Sequence, residues 1–409
     1  MTETAPRARR EGEATVEPWN DDTRPPNYEP WHEPPPIPGV QIAPADDGTG
    51  SIGPIDGARE IKTDDRDPRA AIINDAEWPH RSSPAIEGGL SPHQVNAKVE
   101  AAGEHAPGSD LSPAQLRHQA NMERLRIDAA SGQDQPASQR LLERIEASQS
   151  GVESQRLLLL GFEPRTDRSD AKVIVANGNP DTADNVVIYI PGANTNVAGI
   201  DKDLNRMRDL KLEVEETPDS GRTSTIVWLG YDSPNNILVA GTDRYARDGV
   251  AALHEFTNDL RDTHIGPRAR MTLIGYSYGS VMLGTAAAAA RGLPVDNIIV
   301  VGSPGLGYLP HDKVRFQLDE NGVSVVRQIQ GIEDIHINPD RFWVLAAADD
   351  PVVYVDAHGP NPVRFGQRVA VGNIHGHHQY WEPGSVSLRN QARIVIGYHR
   401  QVTRIAGEP

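Results

Sequence analysis

Ser277 stands between Gly275 and Gly279 in the stretch MTLIGYSYGSVMLG, where a short apolar run meets an alanine-rich one. A serine hydroxyl there can attack an acyl carbon if a base takes its proton and an acid orients that base. Candidate acids end the apolar run RFWVLAAADD, namely Asp349 and Asp350. Asp350 directly precedes a Pro-Val turn and is the preferred one, whereas Asp349 reads as a turn-forming residue. Candidate bases are His375, His377 and His378 in NIHGHHQYW, and spacing alone does not choose among them. A serine in a glycine-flanked turn can also do no more than cap a helix. Its surroundings must decide between the two.

After Asp170 the chain carries short apolar runs that end in glycine or a polar turn: AKVIVANG, NVVIYIPG, TSTIVWLGYD, RMTLIGYS, DNIIVVGSPG, RFWVLAAADD and QRVAVGN. Between the third and fourth, DRYARDGVAALHEFTNDLRDTH places Tyr245, Gly249, Leu253, Phe256 and Leu260 on one helical face. Valine- and isoleucine-rich strands alternating with amphipathic segments predict a doubly wound, mostly parallel sheet flanked by helices. Ser277 then falls at a strand-to-helix turn, the place of the nucleophile elbow in an α/β-hydrolase, whose partners follow in the order serine, acid, histidine. Gly275 and Gly279 supply the lack of bulk such a turn needs. Two backbone N–H groups are expected to form the oxyanion hole, those of Tyr278 at the helix start and of Ala193 in the turn after NVVIYIPG, with the Asn194 side chain helping. Asp232, in WLGYDSP, either lines the pocket or caps a turn. Strand, helix and chain order together favour the elbow over the capping turn.

Upstream, DLSPAQLRHQANMERLRIDAA opens with Ser112 placed to cap and Pro113 at the first helical position. A second segment carries Leu141, Leu142 and Ile145 at helical spacing and ends in a leucine cluster. The expected organisation is a proline-, glycine- and acid-rich disordered tail over residues 1–108, a helical lead-in or cap over 109–165, and a catalytic domain over 166–409. Trp19, Trp31 and Trp78 stand isolated in the tail, where protein partners could dock.

Composition narrows the chemistry. A net charge of -17 offers no basic field to nucleic acid, and the absence of cysteine removes thiolate metal sites and cysteine nucleophiles. The first twenty residues lack the apolar core of a signal peptide and no later run would span a bilayer, so a cytoplasmic protein without a transmembrane segment is expected. HGHH with His358 has the histidine spacing of a metal site, but no carboxylates stand at matching positions, and neither metal nor cofactor is expected. GSPGLG and GNPDTADN lack the lysine and glycine spacing of a phosphate loop. They read as turns near the pocket.

The segment from about Ala176 to Gly397 resembles an actinobacterial α/β-hydrolase family known as domain of unknown function 1023. The blocks that carry the resemblance are GNPDTADNVVIYIPG, WLGYDSP, GYSYGS, VGSPGLG, HGPNPVRFG and HHQYWEPGSVSLRN, in that order. In the family the last block reads histidine, two residues, tyrosine, then an aromatic, which puts the base at His377. The chain departs at Tyr276, where the family usually has histidine, a change expected to alter the pocket wall. It also departs at Ala193-Asn194, in a turn that is usually rich in glycine and threonine. The resemblance implies the α/β-hydrolase fold and its mechanism but no target; with the residue types, the reading is a serine esterase with the triad Ser277, Asp350 and His377, its ester that of a lipid or other acylated small molecule. Thioester cleavage or acyl transfer would use the same groups, and a non-catalytic scaffold with the same fold is the reading from another class.

Overall fold

The computed structural model describes residues 111–235, 244–289, 292–319 and 322–405. The chain divides into two units, Met1–His80 and Arg81–Pro409, and the described residues belong to the second. The expected tail, with Trp19, Trp31 and Trp78, lies outside the described residues.

Two helices come first, α1 (Pro113–Ser131) and α2 (Gln135–Ser148). Ser112 and Pro113 start α1 as their types predict. Ser112 N–H donates to Gln115 Oε1 at 2.8 Å, and the fully buried Ala114 N–H donates to Asp181 Oδ2 at 2.7 Å, so a carboxylate takes up a helix-terminal donor.

The leucine cluster that follows is a strand, β1 (Leu157–Glu163), and not the end of a helical segment. It pairs antiparallel with β2 (Lys172–Asn177), Leu157 opposite Asn177 and Glu163 opposite Lys172. Leu157, Leu158, Leu159 and Leu160 are all buried. A continuous apolar run has no period with which to tell strand from helix, and here pairing with β2 decides. The sheet therefore begins inside the expected lead-in segment.

The remaining strands are β3 (Asn185–Ile190), β4 (Thr223–Leu229), β5 (Arg270–Tyr276), β6 (Asn297–Val301), β7 (Arg315–Asp319), β8 (Gly322–Val326), β9 (Phe342–Leu345) and β10 (Gln367–Val369). They form an eight-stranded sheet in the order β1-β2-β4-β3-β5-β6-β9-β10, with β7-β8 a separate antiparallel pair. All the apolar runs singled out in the sequence are strands of the large sheet. From β4 through β10 the neighbours are parallel, while β2 is antiparallel to both β1 and β4. Because β3 lies between β4 and β5, the winding reverses there, and the C-terminal ends of β3 and β5 mark the switch point at which such sheets bind ligands.

The crossing helices are α3 (Asp201–Glu215), α4 (Arg244–Asp262), α5 (Tyr278–Ala287) and α6 (Val386–Val395). In α4, Gly249, Leu253, Phe256 and Leu260 are buried as their spacing predicts, with Tyr245 partly so. The final helix, α6, ends at Val395. Gly397 takes φ 82°, and Tyr398 N–H turns back to Arg393 O at 2.8 Å, a glycine-dependent helix stop.

Lys211 of α3 is 1% exposed. Its ammonium donates to the carbonyl of Ser154 just before β1, to Asn177 O at 3.2 Å and to Asn177 Oδ1 at 3.3 Å. Burial lowers its pKa, partly offset by Glu215. Among the described residues no helix is long and apolar enough to cross a membrane.

Candidate active site

Ser277 joins β5 to α5 at φ 52°, ψ -126°, a left-handed conformation a side-chain-bearing residue takes only where its surroundings impose it. Those surroundings are tight. A Cβ on Gly279 would lie 2.2 Å from Ile190 O, and one on Gly275 would lie 2.7 Å from Ser280 Cα, so both flanking glycines are required by backbone contact. Ser277 N–H donates to Val301 O at 2.9 Å, fixing the turn to the end of β6. The expected strand-turn-helix is thus present, with the serine half-buried at its apex.

The turn after β3 lies against the serine. A Cβ on Gly192 would come within 2.9 Å of Ser277 Cβ. Ala193 follows, half-buried, and its N–H has no acceptor among the described residues. Tyr278 opens α5, so its N–H stands at the positive end of the helix. Asn194 takes φ 63° and spends its N–H on Pro234 O at 2.9 Å. Its side chain is exposed and makes no hydrogen bond among the described residues. The neighbour that braces this turn is Ser233, whose hydroxyl donates to Gly192 O at 3.2 Å.

Asp350 follows β9 and is wholly buried, with 0% exposure. His377 Nδ1 lies 3.0 Å from its Oδ1 and 2.9 Å from its Oδ2. Tyr380 Oη donates to Oδ2 at 2.7 Å and Val352 N–H donates to Oδ1 at 2.9 Å, so the buried carboxylate is fully engaged. Burial and the Asp350 charge push the Tyr380 phenol well up, so it stays a donor. Sequence reasoning gave Tyr380 no role, although it stands three residues beyond His377. Gly302, at φ 55°, leaves the room this pair needs: a Cβ there would lie 2.8 Å from Asp350 Oδ2 and 3.0 Å from His377 Nδ1.

The other candidate pair is on the surface. His375 Nδ1 and Asp349 Oδ2 meet at 3.0 Å with side chains 74% and 54% exposed. Although burial alone would raise the Asp349 pKa, the Gly376 N–H and His375 hold it below the usual carboxylate range.

Tyr276 is buried and stacks on the His377 ring with centroids 4.9 Å apart. It backs the histidine loop from the end of β5. Ser277 is thus flanked by two elements that touch His377: Tyr276 before it in the chain, and the Val301-Gly302 turn to which its N–H is bonded. Asp232 precedes Ser233 in the turn that braces Gly192. Burial raises its pKa amid Lys172, Asp170 and Asp248, and its Oδ1 is buried without a partner among the described residues. Among the described residues it makes no hydrogen bond to Ser277, Asp350 or His377.

His358 is 3% exposed, bonded through Nδ1 to Tyr308 Oη at 2.9 Å and edge-on to Tyr278. Burial lowers its pKa to about 4. Among the described residues no group of three or more histidines and carboxylates is arranged to hold a metal ion.

Residues 167–360 match the model of a family described as "Alpha/beta hydrolase". The chain has the α/β-hydrolase fold. The match to the α/β-hydrolase model includes Ser277 and Asp350 and ends before His377. An uncharacterized protein of Mycobacterium tuberculosis is 29% identical over 267 residues, 59% of this chain and 39% of its own length. An uncharacterized protein of Mycobacterium bovis is 30% identical over 154 residues, 36% of this chain and 57% of its own. The chain thus spans well under two thirds of the curated relatives it matches. Among solved structures, an arylesterase aligns at 13% identity over 69% of this chain and 97% of its own, with a TM-score of 0.34. The esterase LipW from Mycobacterium marinum aligns at 11% identity over 76% and 91%, with a TM-score of 0.33.

Proposed function

We propose that the protein is a serine hydrolase that cleaves an ester, of a lipid or another acylated small molecule, through an acyl-enzyme. Ser277 attacks the acyl carbon, His377 takes the serine proton through Nε2 and returns it to the leaving alcohol, and Asp350 holds the imidazole with its proton on Nδ1. The observation that carries this reading is the buried Asp350 carboxylate gripping His377 Nδ1 at 2.9 and 3.0 Å, on a ring stacked against the residue before Ser277. Tyr278 and Ala193 N–H groups receive the oxyanion. Ser277 Oγ has no hydrogen-bond partner among the described residues, and its bond to His377 Nε2 forms when substrate binds. The narrower resemblance to domain of unknown function 1023 supports the same triad, since its terminal histidine motif falls on His377.

The test is covalent. A fluorophosphonate phosphonylates an activated serine with loss of fluoride, so the wild-type protein should take one label and Ser277→Ala none. Label retained by Ser277→Ala would move the nucleophile elsewhere. No label on the wild type, with no hydrolysis of p-nitrophenyl esters of several chain lengths, would sink the hydrolase reading.

A further inference from the structure

The residue before the nucleophile has an unusual set of partners. The Tyr276 hydroxyl lies 2.7 Å from the His377 carbonyl oxygen and 2.8 Å from His378 Nδ1. A phenol has one proton and a carbonyl oxygen can only accept, so that proton goes to His377 O. The contact with His378 is then a donation from Nδ1–H to the phenol oxygen. His378 must carry its proton on Nδ1 and present Nε2 as a lone pair. The ring is neutral near pH 7, because burial, followed by the charges of Lys202, His377 and Arg206, lowers its pKa below the ordinary histidine value.

The tyrosine is itself held. Arg206 of α3 places its guanidinium carbon 4.6 Å from the centre of the Tyr276 ring and 4.9 Å from that of Trp381. The same guanidinium donates to Asp203 at 2.8 Å and to Tyr189 Oη at 3.1 Å, and Tyr189 donates to Asp203 at 2.9 Å. Asp203 and Arg206 are both buried, so the ring stands against a fixed ion pair and not a mobile side chain.

We propose that Tyr276 is a positioning residue that ties the base loop to the nucleophile's own strand. Its ring sets the plane of His377, and its single hydroxyl fixes both the His377 backbone and the His378 tautomer. This rests on His377 being the base. Since Tyr276 and Ser277 are covalent neighbours, serine and histidine are registered by one short path.

Tyr276→Phe in the full chain keeps the ring and removes one oxygen. Its kcat for a short-chain p-nitrophenyl ester should fall about tenfold, from loosened positioning, with KM unchanged. Imidazole nitrogen resonances should report His378 as Nδ1–H in the wild type and as Nε2–H, the commoner form of free imidazoles, in Tyr276→Phe. The wild-type measurement requires no variant to fold. An Nε2–H His378 in the wild type, or an unchanged kcat in Tyr276→Phe, would overturn the proposal. A wild type that neither hydrolyses esters nor takes the fluorophosphonate would count against the hydrolase reading instead, with the tautomer still deciding whether Tyr276 holds the loop.

Discussion

Asp350 reaches His377 Nδ1 with both carboxylate oxygens from a position without solvent exposure, while Asp349, its chain neighbour, pairs with His375 in water. An amide at position 350 would offer one acceptor and would allow the wrong imidazole tautomer. Asp350→Asn is expected to lower kcat by about ten thousandfold. Asp349→Asn, on an exposed pair, should stay within about threefold of wild type. Steady-state hydrolysis of one ester by both variants checks this, and the reverse ranking would reassign the acid.

The same contrast orders the histidines. His377→Ala should lose nearly all activity, because among the described residues no other imidazole meets a buried carboxylate. His375→Ala and His378→Ala should each keep a substantial part. Fluorophosphonate labelling rates give a second readout that does not depend on the choice of ester.

The elbow stores backbone strain at Ser277, φ 52°. Alanine keeps that strain and glycine releases it, so Ser277→Gly should be more stable than Ser277→Ala by about 1 kcal/mol. Urea unfolding of the two inactive variants would show it. Equal midpoints would mean that the turn is not strained.

His358 makes stability depend on acid. Its folded pKa of about 4 lies below the ordinary value of 6.5, so the unfolded chain takes the proton first. Its contribution is fully present above pH 6.5 and is lost as pH falls toward 4. The slope is up to about 1.4 kcal/mol per pH unit. His358→Gln should flatten the unfolding free energy over that window relative to wild type. Parallel curves would show that burial does not disfavour the His358 cation.

The strands of the large sheet from β2 onward were legible because each apolar run ends in glycine or a polar turn, and the order of serine, acid and histidine could be read from residue types alone, while the β7–β8 pair was not singled out. Four consecutive leucines hid β1, since only pairing with β2 separates strand from helix there. The choice between Asp349 and Asp350 had a local signal in the following proline. The choice of His377 had none in spacing and rested on the resemblance's histidine-tyrosine block, because burial of its partner is a property of the assembled sheet. Nothing local marked Arg206 and Asp203 either: they lie on α3, some seventy residues before Tyr276, and meet it only through tertiary packing. Tyr380 was visible as a tyrosine three residues after His377, but its hydroxyl acquires meaning only once Asp350 is known to be buried.

Lys211 sets how this fold comes apart. Its ammonium fills a cage of carbonyl oxygens from Ser154 and Asn177 much as a bound monovalent cation would, and a Cβ on Gly178 would lie only 2.8 Å from Nζ. Helix α3 cannot lift away without leaving those acceptors empty, nor can the β1–β2 edge peel off without stranding a buried charge. The edge pair and the helix are therefore one cooperative opening unit. Their amide protons should exchange with solvent at a shared free energy, above that of an ordinary fraying sheet edge.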